Sequence, residues 1–323
     1  MLQETADRLQ PLIPPDRLAV ICGERYAPLV REQLPRVPAA NVLVEPSGRN
    51  TAPAIGLALI HLVRRDPEAI MAILPADHLM ADSAGFRRAL QTAAELASDG
   101  YLVTLGVTPD RPHTGYGYIQ RADPLSTSNG ALAYTVERFL EKPDLTTARR
   151  LVQEGTYFWN GGIFVCKLSA MRAEIARQMP ELDAVLNELA TSLGTAAEAE
   201  VLERVWPQAP RVSIDYGVME HAERVAVVPI DVGWNDVGDW SALHQVLPAD
   251  AEGNIVAGGD HLSIGSSDTL VYGGTDRLIV TIGVKDLIVV ETGDVLLICP
   301  RDQAQNVKAV VEQLQSQGRV EFL

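Results

Sequence analysis

Uninterrupted apolar runs alternate with segments of helical period over the first hundred residues. The run Ile-Met-Ala-Ile-Leu at 70–74 contains no polar side chain, which is typical of a strand buried on both faces of a parallel sheet. Pro75 cannot donate a ladder hydrogen bond and is expected to end this strand. Similar runs at 18–22, 42–44 and 101–107 are separated by helical segments. The alternation predicts a doubly wound α/β sheet.

The pattern changes after residue 107 and again near residue 250. Strand-like alternation covers 114–119 and 134–141, and Gly162–Val165 is predicted to return to the sheet. From about residue 253 the chain has short β-runs separated by turns, which predicts a β-meander or a β-coil of one or two turns. We therefore predict two domains, residues 1–250 with the α/β sheet and residues 251–323 with a β-rich segment and a terminal helix.

Composition excludes several classes of partner. The 323 residues carry a net charge of −15, which argues against nucleic acid or an anionic membrane surface as the main partner. No stretch approaches the length of a membrane span. Cys22, Cys166 and Cys299 lie far apart in apolar runs and fit neither a disulfide framework nor a zinc site. Free thiols favour a reducing cytoplasm as the location.

Two carboxylates follow predicted strands. Asp77 comes directly after the strand at 70–74, and Asp236 lies in a glycine-flanked turn after another strand. Ligands of open α/β sheets bind at this edge, and hard oxygen ligands suit Mg²⁺ beside a phosphate substrate. Alternatives stay open for both residues. Asp77 caps the helix that begins near Asp82 or simply ends a loop, and Asp236 binds the backbone amides of its own turn.

The loop after the strand at 42–44 has groups suited to a nucleotide. Glu45 can accept hydrogen bonds from two neighbouring N–H groups, as guanine presents on its Watson–Crick edge. A helix opens near Asn50, Thr51 and Ala52, and helix N-termini favour anions. The alternative is that Asn50 or Thr51 is a simple helix cap and Glu45 a solvated loop residue.

A third group of residues is suited to a sugar phosphate. Glu141 and Asn160 can accept from and donate to hydroxyl groups, Lys142 can bind a phosphate, and Gly115 permits close approach of the backbone. The alternative is a surface ion pair between Glu141 and Lys142 and an ordinary turn at the glycine pair after Asn160. A phosphate nucleophile needs no general base, so charge neutralisation and in-line positioning suffice for its transfer chemistry.

Long motifs in the chain resemble the mannose-1-phosphate guanylyltransferase (GDP-mannose pyrophosphorylase) family in its short, monofunctional form. The resemblance runs in order over nearly the whole chain. The matching motifs are Glu45-Pro-x-x-Arg-Asn-Thr-Ala-Pro-Ala54, Leu74-Pro-Ala-Asp-His78, Thr114-Gly-Tyr-Gly-Tyr-Ile119, Phe139-Leu-Glu-Lys-Pro143, Trp159-Asn-Gly-Gly-Ile-Phe164, Ser213-Ile-Asp-Tyr-Gly-Val-Met-Glu220 and Gly233-Trp-Asn-Asp-Val-Gly-Asp-Trp240.

The resemblance implies transfer of GMP from GTP to mannose 1-phosphate, which gives GDP-mannose and diphosphate with Mg²⁺. It implies that Asp77 and Asp236 hold the metal and, with Lys142, form the catalytic set. Glu45, Asn50, Thr51 and Ala52 would bind the nucleotide. Gly115, Glu141 and Asn160 would bind the sugar. The β-rich tail resembles that family's dimerising segment, so we expect a homodimer.

The chain departs from the family at its start. The family begins with a strand and a Gly-x-Gly-x-Arg-x-x-Pro loop followed by a catalytic lysine, whereas this sequence starts in a helix. We therefore expect a Rossmann-like sheet whose first strand, normally between the strands at 18–22 and 70–74, is missing, and we expect the chain alone to lack activity. A miscalled start, a fragment and a real truncated homologue are the three explanations. A catalytically inert sugar-nucleotide-binding homologue and a pyrophosphorylase for another hexose 1-phosphate are the alternative functions.

Overall fold

The computed structural model describes residues 1–322, which form one compact unit over Met1–Trp234 and a second that begins at Asn235. The first unit is an α/β domain. Its helices are α1 (Leu2–Arg8), α2 (Ala27–Gln33), α3 (Thr51–Val63), α4 (Ser83–Ser98), α5 (Leu145–Glu154), α6 (Leu168–Gln178), α7 (Pro180–Ser192) and α8 (Glu198–Val205). Its strands are β1 (Val20–Gly23), β2 (Val42–Glu45), β3 (Ile70–Ile73), β4 (Leu79–Met80), β5 (Leu102–Val107), β6 (Tyr118–Pro124), β7 (Tyr134–Leu140), β8 (Tyr157–Lys167), β9 (Val225–Ile230) and β10 (Trp234–Asn235), the last of which crosses into the second unit.

The main sheet has six strands in the order β3-β8-β5-β9-β7-β6 and is mixed rather than parallel. Strands β5 and β9 are parallel, whereas β8 is antiparallel to both β3 and β5. The expectation that residues 70–74 are buried on both faces is wrong. Among the described residues, β3 lies at the edge of the sheet and pairs with β8, and Ile70 is 37% exposed.

Strands β1 and β2 form a separate two-stranded parallel sheet. Among the residues that the structure describes, β1 and β3 do not pair with each other. The strands at 18–22 and 70–74 therefore do not form a ladder with each other. That the missing first strand of the family would lie between them stays a prediction.

Helices cover both faces of the main sheet. Because side chains alternate along a strand, Phe164 and Cys166 of β8 enter one buried cluster and Ile163 and Val165 enter the other. Helices α3, α6 and α7 pack together in the first cluster, and α4 packs on β5, β8 and β9 in the second. The α/β class predicted from the sequence is confirmed.

Strand β8 begins at Tyr157, before the predicted Gly162–Val165, and includes Asn160, Gly161 and Gly162. The alternative of an ordinary turn at the glycine pair is therefore wrong. Gly162 has a φ of +64°, and the pairing of β8 with β5 shifts register between Thr104 and Gly106. A β-bulge of this kind re-aims side chains without ending the strand. The glycine pair therefore marks a distortion inside the sheet.

The second unit contains parallel β-structure. Strands β11 (Ile255–Ala257), β13 (Leu270–Gly273) and β15 (Leu287–Glu291) are parallel neighbours, and β12 (Asp260–Ile264) is parallel to β14 (Leu278–Ile282). Strand β16 (Leu296–Pro300) is antiparallel to β15. This arrangement is a β-coil, so the β-meander is excluded. The helices are α9 (Leu243–Val246) and α10 (Val307–Ser316). The domain boundary at 250/251 stays a prediction.

In the part of the chain that the structure describes, every helix is too short or too polar to cross a membrane.

Candidate active site

Glu141, Lys142 and Asn160 lie together around Gly117. The backbone N–H of Asn160 donates to the carbonyl of Gly117 at 2.8 Å, and a Cβ on Gly117 would lie 2.8 Å from Oε2 of Glu141. Lys142 Nζ lies 3.2 Å from Glu141 Oε1. Lys142 has a φ of +42°, a backbone conformation that a residue with a side chain adopts at a cost and that clusters at functional sites. Carboxylate, amide and ammonium groups thus meet in one place.

Two further carboxyl groups interact with this cluster. Asn160 Nδ2 donates to Asp215 Oδ1 at 2.6 Å. Burial raises the pKa of Asp215, and the hydrogen bond from Asn160 opposes this shift. Burial also raises the pKa of Glu220, with smaller contributions from Glu141 and Asp215. Sequence reasoning assigned no role to Asp215 or Glu220, although both belong to the motif Ser-Ile-Asp-Tyr-Gly-Val-Met-Glu at 213–220.

Gly115 lies in a loop that aromatic side chains hold. Its N–H donates to His113 Nδ1 at 3.2 Å, and the His113 ring stacks on Tyr116 with centroids 3.7 Å apart. Tyr116 in turn packs edge-on against Trp159 and Trp234. These contacts fix the loop beside β8, and the sugar-binding role of Gly115 stays a prediction.

Glu45 is the last residue of β2, and one of its carboxylate oxygens accepts no hydrogen bond. Oε2 is buried and has no hydrogen-bond partner, whereas the backbone N–H of Arg49 donates to the carboxylate. Burial raises the pKa of Glu45, and the Arg49 hydrogen bond opposes the rise. A buried acceptor without a partner is costly. The alternative of a fully solvated loop residue is therefore excluded, and the oxygen can accept from a ligand.

The loop after Glu45 is anchored to the segment 206–214. Polar groups of Asn50, Thr51 and Ala52 are engaged within the chain, and their predicted contact with the nucleotide stays a prediction. The anchoring hydrogen bonds run from Trp206 Nε1 to the Ser47 carbonyl (2.8 Å), from Arg49 to the Ala209 carbonyl (3.1 Å), from Ile214 N–H to Thr51 Oγ1 (2.8 Å), from Ala52 N–H to the Val212 carbonyl (3.2 Å) and, as a helix cap, from Thr51 N–H to Asn50 Oδ1 (2.8 Å).

Asp77 follows β3 and its side chain is 79% exposed. It does not cap α4, because Asp82 does so by accepting from the N–H of Gly85 at 2.8 Å. Asp77 Oδ1 lies 4.0 Å from His78 Nε2. His78 Nδ1 accepts from Trp234 Nε1 at 3.0 Å, so a neutral His78 has its proton on the nitrogen that faces Asp77.

Asp236 belongs to the second unit. Its Oδ1 accepts from the N–H of Gly238 at 3.3 Å. This is the contact expected from the alternative that Asp236 binds backbone amides of its own turn. The convergence of Asp77 and Asp236 on one cation stays a prediction.

Comparison with known proteins gives the class first. A family model described as nucleotidyl transferase matches residues 1–253, and one described as a MannoseP isomerase/GMP-like beta-helix domain matches residues 259–314. The chain therefore belongs to the nucleotidyl transferase family, and within it to the mannose-1-phosphate guanylyltransferases, as its relatives show.

Two of these relatives are an Escherichia coli K12 protein and a Vibrio cholerae protein. The first is named mannose-1-phosphate guanylyltransferase and is 40% identical over 99% of this chain and 68% of its own length. The second is named putative mannose-1-phosphate guanylyltransferase and is 38% identical over 100% of this chain and 68% of its own length. The chain thus spans about two thirds of either relative.

Solved structures agree with the fold. A Thermus thermophilus protein described as a mannose-1-phosphate geranyltransferase matches with a TM-score of 0.85 and 37% identity, over 97% of this chain and 89% of its own. A Helicobacter pylori protein described as mannose-6-phosphate isomerase matches with a TM-score of 0.61 and 26% identity, over 72% of this chain and 89% of its own. The predicted family, fold class and enzyme class are confirmed.

Proposed function

We propose that this protein transfers GMP from GTP to mannose 1-phosphate and so forms GDP-mannose and diphosphate. A phosphate oxygen of the sugar phosphate attacks the α-phosphorus of GTP, and diphosphate leaves with the electron pair of the bond that breaks. The nucleophile is already an anion, so no side chain has to remove a proton from it. The residues of this chain bind, orient and neutralise charge.

The buried, unpartnered Oε2 of Glu45 is the observation that carries the choice of base. Guanine offers adjacent N–H groups on its Watson–Crick edge, and adenine does not offer that pair to a carboxylate. One oxygen of Glu45 is left to accept, and the backbone N–H of Arg49 holds the carboxylate in place. Guanine binding would relieve the cost of this unpaired acceptor.

The cluster of Glu141, Lys142 and Asn160 supports a sugar phosphate as the second substrate. Glu141 and Asn160 present acceptor and donor atoms to hydroxyl groups, and Lys142 is the cation of the cluster. A Lys ammonium is a compact point charge that suits a phosphate oxygen. Its ion pair with Glu141 holds the flexible side chain near the sugar, where the substrate phosphate would join it.

The acidic side chains fit a magnesium ion that the substrate helps to bind. Among residues 1–322 no group of three or more His, Cys, Asp or Glu side chains could hold a metal by itself. Mg²⁺ in phosphoryl-transfer sites is bound by one or two carboxylates together with substrate phosphates and water. Asp77 and Asp236 would be those carboxylates. The ion would neutralise the charge that develops on the phosphate oxygens.

The test is release of diphosphate by the purified chain, alone and extended by any in-frame codons that precede Met1, in mixtures of one nucleoside triphosphate, one sugar phosphate and Mg²⁺. GTP with mannose 1-phosphate should be the best pair, and ATP, UTP or omission of Mg²⁺ should abolish turnover. Faster turnover with glucose 1-phosphate would instead identify a pyrophosphorylase for another hexose. Binding of GDP-mannose without turnover would identify an inert binding homologue.

We also propose a homodimer that forms through the second unit. Strands β12 and β14 form a parallel ladder, and inward-facing Thr281 is buried while the opposite face is apolar and exposed. A large exposed apolar patch favours association. The aliphatic side chains of this face are Leu262, Ile264, Leu278, Val280 and Ile282.

The three cysteines are free thiols. This supports a location in a reducing cytoplasm, where thiols stay unpaired.

A further inference from the structure

Asp215 has a half-buried carboxylate. It contacts the cluster proposed to bind the sugar through one side chain, that of Asn160. It opens a π-helical turn, Asp215–Met219, and accepts from Asn160 Nδ2 at 2.6 Å. Lys142 forms an ion pair with Glu141 and also interacts electrostatically with Asp215. The Asp215 carboxylate accepts hydrogen bonds from the Asn160 side chain and from its own backbone N–H, and these bonds offset part of the cost of its burial.

The hydrogen bonds of Asn160 determine which way its amide faces. Its Nδ2 donates to Asp215, and its Oδ1 accepts from the N–H of Gly162 at 3.1 Å. A flipped amide would place its oxygen against the Asp215 carboxylate, so that two acceptors would face each other. Each amide atom keeps one further hydrogen-bonding position, an N–H on Nδ2 and a lone pair on Oδ1. Asp215 thus determines where the donor and the acceptor lie.

Asp215 is itself fixed by its neighbours in the chain. The N–H of Ile214 donates to Thr51 Oγ1 at 2.8 Å, and the carbonyl of Val212 accepts from Ala52 N–H at 3.2 Å. These hydrogen bonds tie the segment before Asp215 to the first turn of α3. A side chain that orients another must be anchored in this way.

We propose that Asp215 is a positioning residue for the sugar phosphate, because it holds the Asn160 amide with its free N–H and lone pair directed to the sugar hydroxyl groups. The inference deepens the proposed function and rests on it. Asp215 acts through Asn160 and does not contact the substrate. A carboxylate suits this role better than an amide would, since both of its oxygens are acceptors and its own rotation cannot reverse the hydrogen bond.

The test measures KM for both substrates in Asp215→Ala, Asp215→Asn, Asn160→Ala and the double variant Asn160→Ala/Asp215→Ala. Asp215→Ala should raise KM for mannose 1-phosphate about 10- to 100-fold, as expected for a hydrogen bond to a charged group. KM for GTP should change by less than about twofold. Asp215→Asn keeps an acceptor and should recover most of the loss. In the Asn160→Ala background, Asp215→Ala should change KM by less than about twofold, because the two residues act as one unit.

A matched control removes a nearby charge without touching Asn160. Glu220 interacts electrostatically with Glu141 and Asp215, so Glu220→Gln tests whether lost charge alone explains the effect, and it should leave KM for the sugar phosphate within about threefold. An equal effect of Glu220→Gln would overturn the inference. So would equal rises of both KM values in Asp215→Ala, or effects of Asn160→Ala and Asp215→Ala that multiply.

Failure of the proposed function would give a different result. If the wild-type chain does not turn over mannose 1-phosphate, that function fails, and calorimetric titration with mannose 1-phosphate and glucose 1-phosphate then decides the role of Asp215. A selective loss of hexose phosphate binding in Asp215→Ala would support positioning. Unchanged binding, or no binding to the wild type, would overturn it. Thermal unfolding of each variant confirms that it is folded.

Discussion

The indole N–H of Trp234 donates to Nδ1 of His78 at 3.0 Å. This hydrogen bond joins the loop after β3 to the last residue of the first unit. His78 follows Asp77 directly, and Trp234 precedes Asp236 by two positions. Within the first unit, this contact and the pairing of β4 with β10 therefore join the segment that contains Asp77 to the residue two positions before Asp236. Aromatic contacts of Trp234 with Tyr116 and Trp159 reinforce it.

Trp234→Phe should weaken the use of Mg²⁺ more than it weakens either substrate. The variant keeps a ring for packing but loses the N–H, which is worth about 1 kcal/mol for a neutral hydrogen bond, or about fivefold in affinity. We expect the Mg²⁺ concentration for half-maximal diphosphate release to rise by about that factor. Trp240→Phe is the matched control, since Trp240 packs against Tyr272 within the second unit. An unchanged Mg²⁺ dependence in Trp234→Phe would contradict this role.

Glu45→Gln should weaken GTP far more than mannose 1-phosphate. Each hydrogen bond to the carboxylate contributes about 1.5–3 kcal/mol, so KM for GTP should rise at least about tenfold. Discrimination against ATP should fall with it. Glu141→Gln is the reciprocal variant and should raise KM for the sugar phosphate selectively. Equal losses for both substrates in Glu45→Gln would show that Glu45 does not contact the base.

The pH dependence of GTP binding should depend on the same carboxylate. Burial raises the pKa of Glu45, and only the ionised form accepts two guanine N–H groups. KM for GTP should therefore rise as pH falls through this raised pKa, at a higher pH than for an exposed glutamate. Glu45→Gln should remove that acid limb. A limb that persists in the variant would assign the titration to another group.

The raised pKa of Glu45 also affects the pH dependence of stability. Its effect is opposite to that of an ion-paired carboxylate, whose pKa is lowered on folding. Because the folded pKa of Glu45 lies above the unfolded one, its contribution to stability is present below the unfolded pKa and is lost as pH rises through the folded pKa. Glu45→Gln should thus be no less stable than the wild type at neutral pH without ligand. Thermal melts at neutral and acidic pH measure this.

Local signals in the sequence predicted most helices and strands correctly. They failed where the pairing of strands across the whole sheet determines the structure. Asp82 and Asn50 cap helices as their residue types suggest. The position of β3 at a sheet edge depends on strand order, which an apolar run does not encode. Gly161 and Gly162 suggest a turn, yet pairing with β5 keeps them inside β8. Tertiary pairing overrides the local preference there.

The residues of the candidate site also divide into those that the sequence could relate to one another and those that only the fold brings together. Glu141 and Lys142 are neighbours in sequence, and Asn160 joins them through the paired strands that also position Gly117. Asp215 lies 55 positions from Asn160, so no local pattern relates the two side chains. Its motif was visible, but only the folded chain shows which side chain the carboxylate contacts.

Gly117→Ala should impair sugar binding without unfolding the protein. The new Cβ would lie 2.8 Å from Glu141 Oε2 and 3.4 Å from the Cβ of Asn160, so the Glu141 side chain would have to move. We expect KM for mannose 1-phosphate to rise by about tenfold or more, because small displacements of a positioning group are costly. Gly293→Ala, where no atom lies within 4 Å of the new Cβ, is the control and should behave as the wild type.

The proposed dimer depends on the exposed aliphatic face of β12 and β14. Ile282 is 67% exposed and Leu262 49% exposed, so a lysine at either position would disturb no core packing but would place a charge in an apolar interface. Light scattering at micromolar concentration should give the mass of two 35.0-kDa chains for the wild type and of one chain for Ile282→Lys or Leu262→Lys. Val320→Lys, at a site that is 66% exposed outside this face, should remain dimeric. A wild-type monomer would contradict the proposal, and a dimer that survives both substitutions would assign the interface to another surface, because a buried unpaired charge is strongly unfavourable.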